Sequence, residues 1–150
     1  MKKEYIEELI KNDIESFGCS IWGVELTGRA SSPTLKVYID KKGGISINDC
    51  EIVSKQISRV LTANLNLESN FALEVSSPGL ERKFYKNNQY SSYIECPLKV
   101  RYKTRENRFV TKEGVLKQVD DKGLVLATDN EELYVDFKSV DKANLEYKGK

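Results

Sequence analysis

Apolar residues in the first segment fall at Ile6, Leu9, Ile10, Ile14 and Phe17, a spacing of three and four that lines one face of a helix, and Gly18 follows where such a helix stops. The pattern predicts a helix over Lys3 to Phe17. The period then shortens to two. Trp22, Val24 and Leu26 alternate with small or polar residues, a linker over Gly28 to Pro33 intervenes, and Leu35, Val37 and Ile39 alternate again. These runs predict a hairpin with one buried face, and Trp22 belongs to its core by phase. Asn48 with Glu51 three residues later predicts a helix N-cap, with Ile47 and Ile52 as the apolar staple around it. The helix that starts there places Val53, Ile57, Val60, Leu61 and Leu65 on its core face, and Phe71, Leu73 and Val75 make a third strand. The first part of the chain therefore predicts α-β-β-α-β.

Ser76-Ser77-Pro78-Gly79 breaks this periodicity, because proline presets the second position of a turn and glycine accepts the positive φ that follows. The first domain ends here, and we draw it as residues 1–82. A short polar helical segment over Phe84 to Ile94, held by Phe84, Tyr90 and Ile94, fills a connection over 83–96. From Pro97 the period is again two: Leu98, Val100 and Tyr102 face one way while Lys99, Arg101 and Lys103 face the other. Short strands then recur between turn signals, with Val115, Leu116, Leu124, Leu126, Leu133 and Val135 as core candidates. That spacing predicts a small closed or nearly closed β-barrel as the second domain, within 83–150. The fold class is α+β in two domains.

Composition narrows the chemistry. With 39% apolar and 31% charged residues, the chain suits a soluble globular protein. Its opening residues carry acids at Glu7 and Glu8 and no apolar block, and no stretch approaches the roughly 20 apolar residues a bilayer span needs. Neither export nor a membrane anchor is expected, and the expected location is cytoplasmic. The chain has no histidine, which excludes a Ser-His or Cys-His nucleophile pair and any metal site that needs imidazole. Cys19, Cys50 and Cys96 are an odd set without Cys-x-x-Cys spacing, and are read as reduced, buried small hydrophobes. No cofactor and no metal are expected.

The net charge of +1 is uninformative until it is divided. Lys99 to Lys117 holds seven bases and two acids, whereas Gln118 to Asp136 holds six acids and one base. Lys99, Arg101, Lys103 and Arg105 project together from one strand without an intervening acid and match phosphate chemistry, with Arg108 following them. The plainer reading, solvated charges on an exposed strand, weighs about equally on composition alone. Lys41-Lys42-Gly43-Gly44 is a basic loop without the P-loop pattern, and a hydrophilic strand-to-helix connection is its favoured reading; beside Arg29, if the hairpin is drawn simply, Lys41 and Lys42 would add a second, weak RNA contact. Asp40, Asp49, Glu51 and Glu74 are the acids from which a Mg²⁺-assisted nuclease would be built, but Asp49 and Glu51 are better explained by the positive end of a helix dipole. Ser76 and Ser77 lack a nucleophile elbow and an activating base, so they read as turn residues. Exposed tyrosines remain candidates for stacking on bases.

Leu73-Glu74-Val75-Ser76-Ser77-Pro78-Gly79-Leu80-Glu81-Arg82 resembles the signature of the RimP family of ribosome maturation factors. Its motif residues are Ser76, Ser77, Pro78, Gly79, Leu80 and Arg82. Leu35-Lys36-Val37-Tyr38-Ile39-Asp40 is similar to the family's second strand, and Gly44-Ile45-Ser46-Ile47-Asn48-Asp49-Cys50 to the loop and helix start after it. Lys83 departs from the family, which usually has proline there. The resemblance implies an α/β N-terminal domain joined to an SH3-like, or Sm-like, β-barrel. It further implies a non-catalytic factor that binds the free 30S subunit and aids its maturation, with its barrel engaging the small-subunit ribosomal protein of the decoding centre.

On that reading the basic residues hold 16S rRNA, and the acidic stretch of Asp129, Glu131, Glu132 and Asp136 is the expected contact for a cationic ribosomal protein. A monomer is expected. The alternatives are a general single-strand RNA chaperone, disfavoured by the near-neutral net charge, and the metal-dependent nuclease.

Overall fold

The computed structural model describes residues 3–29, 32–65 and 71–146. The chain divides into two compact units, Met1–Pro78 and Gly79–Lys150.

In the first unit the order is α1 (Lys3–Ser16), β1 (Ser20–Arg29), β2 (Ser32–Asp40), α2 (Ile47–Asn64) and β3 (Ala72–Ser76), the α-β-β-α-β succession that periodicity predicts. Helix α1 stops because Gly18 takes φ +78°. The Cys19 N–H then donates to the Ile14 carbonyl at 3.3 Å and the Gly18 N–H to the Glu15 carbonyl at 3.0 Å, the paired closure that satisfies the last carbonyls of a helix. Phe17 falls beyond the last turn and is exposed, not a core residue.

Strands β1 and β2 pair antiparallel, with a bulge between Ile21 and Gly23. Trp22 is the extra residue, and the bulge advances the phase so that Ile21 opposes Ile39 and Val24 opposes Val37. Trp22 is therefore half-buried and outside the core cluster, while Ile21 packs against it. The ladder runs to Arg29 opposite Ser32, so the predicted linker is mostly strand, and its residues 30 and 31 lie outside the described residues. β3 joins β2 in parallel, Leu35 opposite Leu73 and Val37 opposite Val75. A parallel neighbour cannot be reached by a tight turn, which is why α2 serves as the crossover. The core is Ile6, Ile10 and Ile14 of α1, Val24, Leu35, Val37 and Ile39 of the sheet, and Val53, Ile57 and Leu61 of α2.

Helix α2 begins two residues earlier than the Asn48 reading expects. Ser46 is the cap: its Oγ accepts from the Asp49 N–H at 3.0 Å, and Asp49 Oδ2 accepts from the Ser46 N–H at 2.9 Å. Cys50 precedes Val53 by three residues and Ile57 by seven, so it shares their face, and with Ile45 it packs on the core as the staple. Ile47 and Ile52 point elsewhere; Ile47 is 81% exposed.

The second unit carries β4 (Pro97–Lys103), β5 (Phe109–Val119), β6 (Gly123–Ala127), β7 (Glu132–Asp136) and β8 (Val140–Leu145), with short 3-10 turns at Asn87–Tyr93 and Phe137–Ser139. They form one antiparallel sheet in the order β7-β6-β5-β4-β8. The ladder has β7 and β8 as its margins, so the hydrogen-bonded sheet does not close, where a small closed or nearly closed barrel was the expectation. The turn at Phe137–Ser139, capped by the Asp136 carboxylate accepting from the Lys138 N–H at 3.0 Å, separates those two strands. The free edge of β8 is covered locally: the Leu145 N–H donates to the Arg82 carbonyl and the Phe84 N–H to the Ala143 carbonyl, each at 2.9 Å.

Leu98, Val100, Leu116, Leu124 and Leu126 are fully buried, with Phe84, Tyr90, Val135 and Ala143 beside them; Tyr102, Val115 and Leu133 are half-buried. Phe84 and Tyr90 stack at 4.3 Å, and burial pushes the Tyr90 hydroxyl up to about 12. Ile94, expected in this cluster, is exposed. Gly123 is required by packing, since a Cβ there would lie 2.4 Å from the Val135 carbonyl oxygen and 2.7 Å from the Tyr134 ring. The three cysteines are free; Cys19 is buried, but Cys50 and Cys96 are only half-buried.

Candidate functional site

Alternation along β4 turns Leu98 and Val100 inward and Lys99, Arg101 and Lys103 outward. Register then selects their neighbours. Lys99 lies between Glu113 of β5 and Asn144 of β8, Arg101 between Thr111 and Lys142, and Lys103 opposite Phe109. The outer face therefore gains Lys142, which comes from a distant strand and is not among the sequence candidates. It also gains carboxylates: Arg101 is ion-paired to Asp141, and Glu113 stands across from Lys99. The run of bases without an acid is thus interrupted once the neighbouring strands arrive. Lys99, Arg101, Thr111, Lys142 and Asn144, with Glu81 and Glu146, line a mainly polar trough of about 410 Å³.

Phe109 is the residue on this face that sequence reasoning missed. It is 47% exposed, and its ring centroid lies 4.2 Å from the Arg101 guanidinium carbon and 5.5 Å from Lys103 Nζ. The available signal was its phase, had β5 been started at Phe109 so that residues 109, 111 and 113 share a face. Arg105 and Arg108 are exposed in the β4–β5 turn, which is closed by the Thr104 N–H donating to the Arg108 carbonyl at 2.7 Å and the Asn107 N–H donating to the Thr104 carbonyl at 2.9 Å.

The basic candidates of the first unit do not come together. Arg29 ends β1 opposite Ser32, whereas Lys41 and Lys42 follow Asp40 at the other end of β2, about 26 Å of strand away. The simple drawing failed because a hairpin puts its turn, beside Arg29, at the opposite end from the residues that follow its second strand. Lys41 is engaged with Asp49 at 3.4 Å. Asp49 is itself committed to the α2 cap, and the Ser46 backbone and hydroxyl hydrogen bonds, followed by Lys41, hold its carboxyl below the ordinary range. Among the described residues no three of His, Cys, Asp and Glu gather as a metal-binding group.

The acidic candidates separate in the same way. Asp129, Glu131 and Glu132 cluster at the β6–β7 turn, where the Thr128 N–H donates to the Glu131 carbonyl at 2.8 Å. Asp136 lies at the other end of β7, opposite Gly123, and there the fold adds Asp120 and Asp121. Asp120 accepts from the Lys122 and Gly123 N–H groups, each at 2.8 Å, and from the Tyr134 hydroxyl at 3.1 Å. Those two backbone bonds lower its carboxyl, while Tyr134 is pushed up first by desolvation and then by Asp120. Tyr134, Val125, Ile94 and Asp120 help line a groove of about 510 Å³.

The motif Ser76 to Arg82 crosses from one unit to the other. Ser76 closes β3 opposite Tyr38, Pro78 ends the first unit, Gly79 takes φ +83°, Leu80 is 70% exposed, and the Arg82 guanidinium lies 5.8 Å over the Tyr93 ring. No described helix is long and apolar enough to cross a membrane.

Comparison with known families matches residues 9–81 to the RimP N-terminal domain. The matched stretch runs from within α1 through all three strands of the first sheet and ends in the Ser76 to Arg82 motif. The first unit is a RimP N-terminal domain, and through it the chain belongs to the RimP family of ribosome maturation factors.

Proposed function

We propose that this protein is a maturation factor for the small ribosomal subunit, acting without catalysis by binding the free, immature 30S particle in the cytoplasm as a monomer. The observation that carries the reading is the RimP N-terminal domain over residues 9–81. On this reading the second unit serves as an SH3-like barrel. The outer face of β4, with Lys99, Arg101 and Lys103 and the turn residues Arg105 and Arg108, holds 16S rRNA. The acids at the two ends of β7, Asp129, Glu131 and Glu132 at the turn before it and Asp136 at its far end, meet the cationic ribosomal protein of the decoding centre, because opposite charge steers association.

A tagged copy sedimented through a sucrose gradient at moderate salt should travel with free 30S particles and be absent from complete ribosomes. Recovery only at the top of the gradient, at low salt too, would remove the reading. Within it, Glu131→Lys, Glu132→Lys and Asp136→Lys together should abolish capture of the ribosomal protein; undiminished capture would place that contact elsewhere.

A further inference from the structure

We infer that Phe109 and Arg101 form a stacking platform for one unpaired RNA base, with the adjoining trough taking the phosphates on either side. The inference rests on the RNA reading of this face and specifies its ligand. A half-exposed phenylalanine on a polar strand face is costly to leave in water, and Phe109 stays 47% exposed at the start of β5, opposite Lys103 and next to the turn that carries Arg105 and Arg108. Its surroundings suit a π-face rather than an aliphatic one. Arg101 lies over the ring at 4.2 Å with Lys103 at 5.5 Å, and Asp141 holds the Arg101 guanidinium in place by its ion pair.

Electrostatics alone leave this face with little affinity, which makes stacking decisive. Lys99, Arg101, Lys103 and Lys142 are offset by Glu81, Glu113, Asp141 and Glu146 on or beside the same surface. Even with Arg105 and Arg108 at the neighbouring turn, such a face gains less from counterion release than a strongly cationic groove does. A base that stacks on an aromatic ring or on a guanidinium plane gains affinity without demanding net charge, and it must be unpaired to expose its face. Next to the ring, the trough of about 410 Å³ offers Lys99, Lys142, Thr111 and Asn144 as donors for phosphate and sugar. A regular duplex presents no free base face and is excluded by the same geometry.

The test measures binding of the full chain to a labelled single-stranded oligoribonucleotide of about 12 nucleotides, within the length such sites track, and to the same strand with its bases removed. The wild-type chain should prefer the base-bearing strand, and Phe109→Ala should weaken that strand by about tenfold or more while leaving the abasic strand unchanged. Phe109→Trp should restore binding, and Tyr5→Ala, an exposed aromatic in the other unit, should have no effect. If Phe109→Ala binds both strands as the wild type does, the platform is overturned and RNA binding by the basic residues stands. An equal loss on both strands also overturns it, since the ring would then serve only to hold Arg101. If the wild-type chain binds neither strand, the platform falls with the RNA reading of this face, while co-sedimentation with 30S particles remains a separate measurement.

Discussion

At the scale of single residues, the atoms that decide stability are often ones a hydropathy pattern ignores. Gly123 is the clearest case: any Cβ meets the Val135 carbonyl and the Tyr134 ring at once, and the backbone oxygen cannot step aside. Gly123→Ala should lower the midpoint of urea unfolding by the equivalent of about 1–3 kcal/mol, the usual cost of overpacking. Asp49 gives a pH signature. Its carboxyl is lowered in the folded chain, chiefly by the Ser46 backbone hydrogen bond, so its contribution is present in full above the ordinary carboxylate value and lost as pH falls through the lowered one. Asp49→Asn should therefore be less stable than wild type at neutral pH and converge with it in strong acid, read by denaturation at both pH values.

At the scale of elements, the start of α2 separates two capping boxes that overlap in sequence. Ser46 with Asp49 and Asn48 with Glu51 both satisfy the spacing, and only the first leaves its staple, Ile45 and Cys50, on the face shared by Val53 and Ile57. Ser46→Ala should cost about 0.5–2 kcal/mol. Asn48→Ala should stay within about 0.5 kcal/mol of wild type, as an ordinary surface change does. A loss from Asn48→Ala with none from Ser46→Ala would return the cap to Asn48. The element types themselves were legible, because Ile6, Ile10 and Ile14 or Leu35, Val37 and Ile39 state their period without help. Element ends were not: the β1 bulge displaced Trp22 from the core by one residue, and β1 and β2 both extend into what composition marked as a linker.

For the whole molecule, folding redistributes charge. The basic and acidic stretches are real features of the chain, but each is divided or diluted by folding. Lys99→Ala with Lys142→Ala should reduce the slope of log affinity against log salt by about 1.4 for single-stranded RNA, if each cation meets one phosphate. An unchanged slope would mean that phosphates do not occupy the trough. The same double variant should leave capture of a cationic ribosomal protein intact, since that contact is assigned to β7.

The sequence by itself determined the α-β-β-α-β order of the first unit, the strand-rich character of the second, the family through the Ser76 to Arg82 motif and its flanks, and the outward phase of Lys99, Arg101 and Lys103. These depend on local periodicity or on contiguous residues. Tertiary structure decided which side chains share a surface: Lys142, Asp141 and Phe109 beside Arg101, Asp120 beside Tyr134, and Arg29 far from Lys41. Such juxtapositions follow from strand order and register, and those are set by the packing of whole sheets rather than by any one segment.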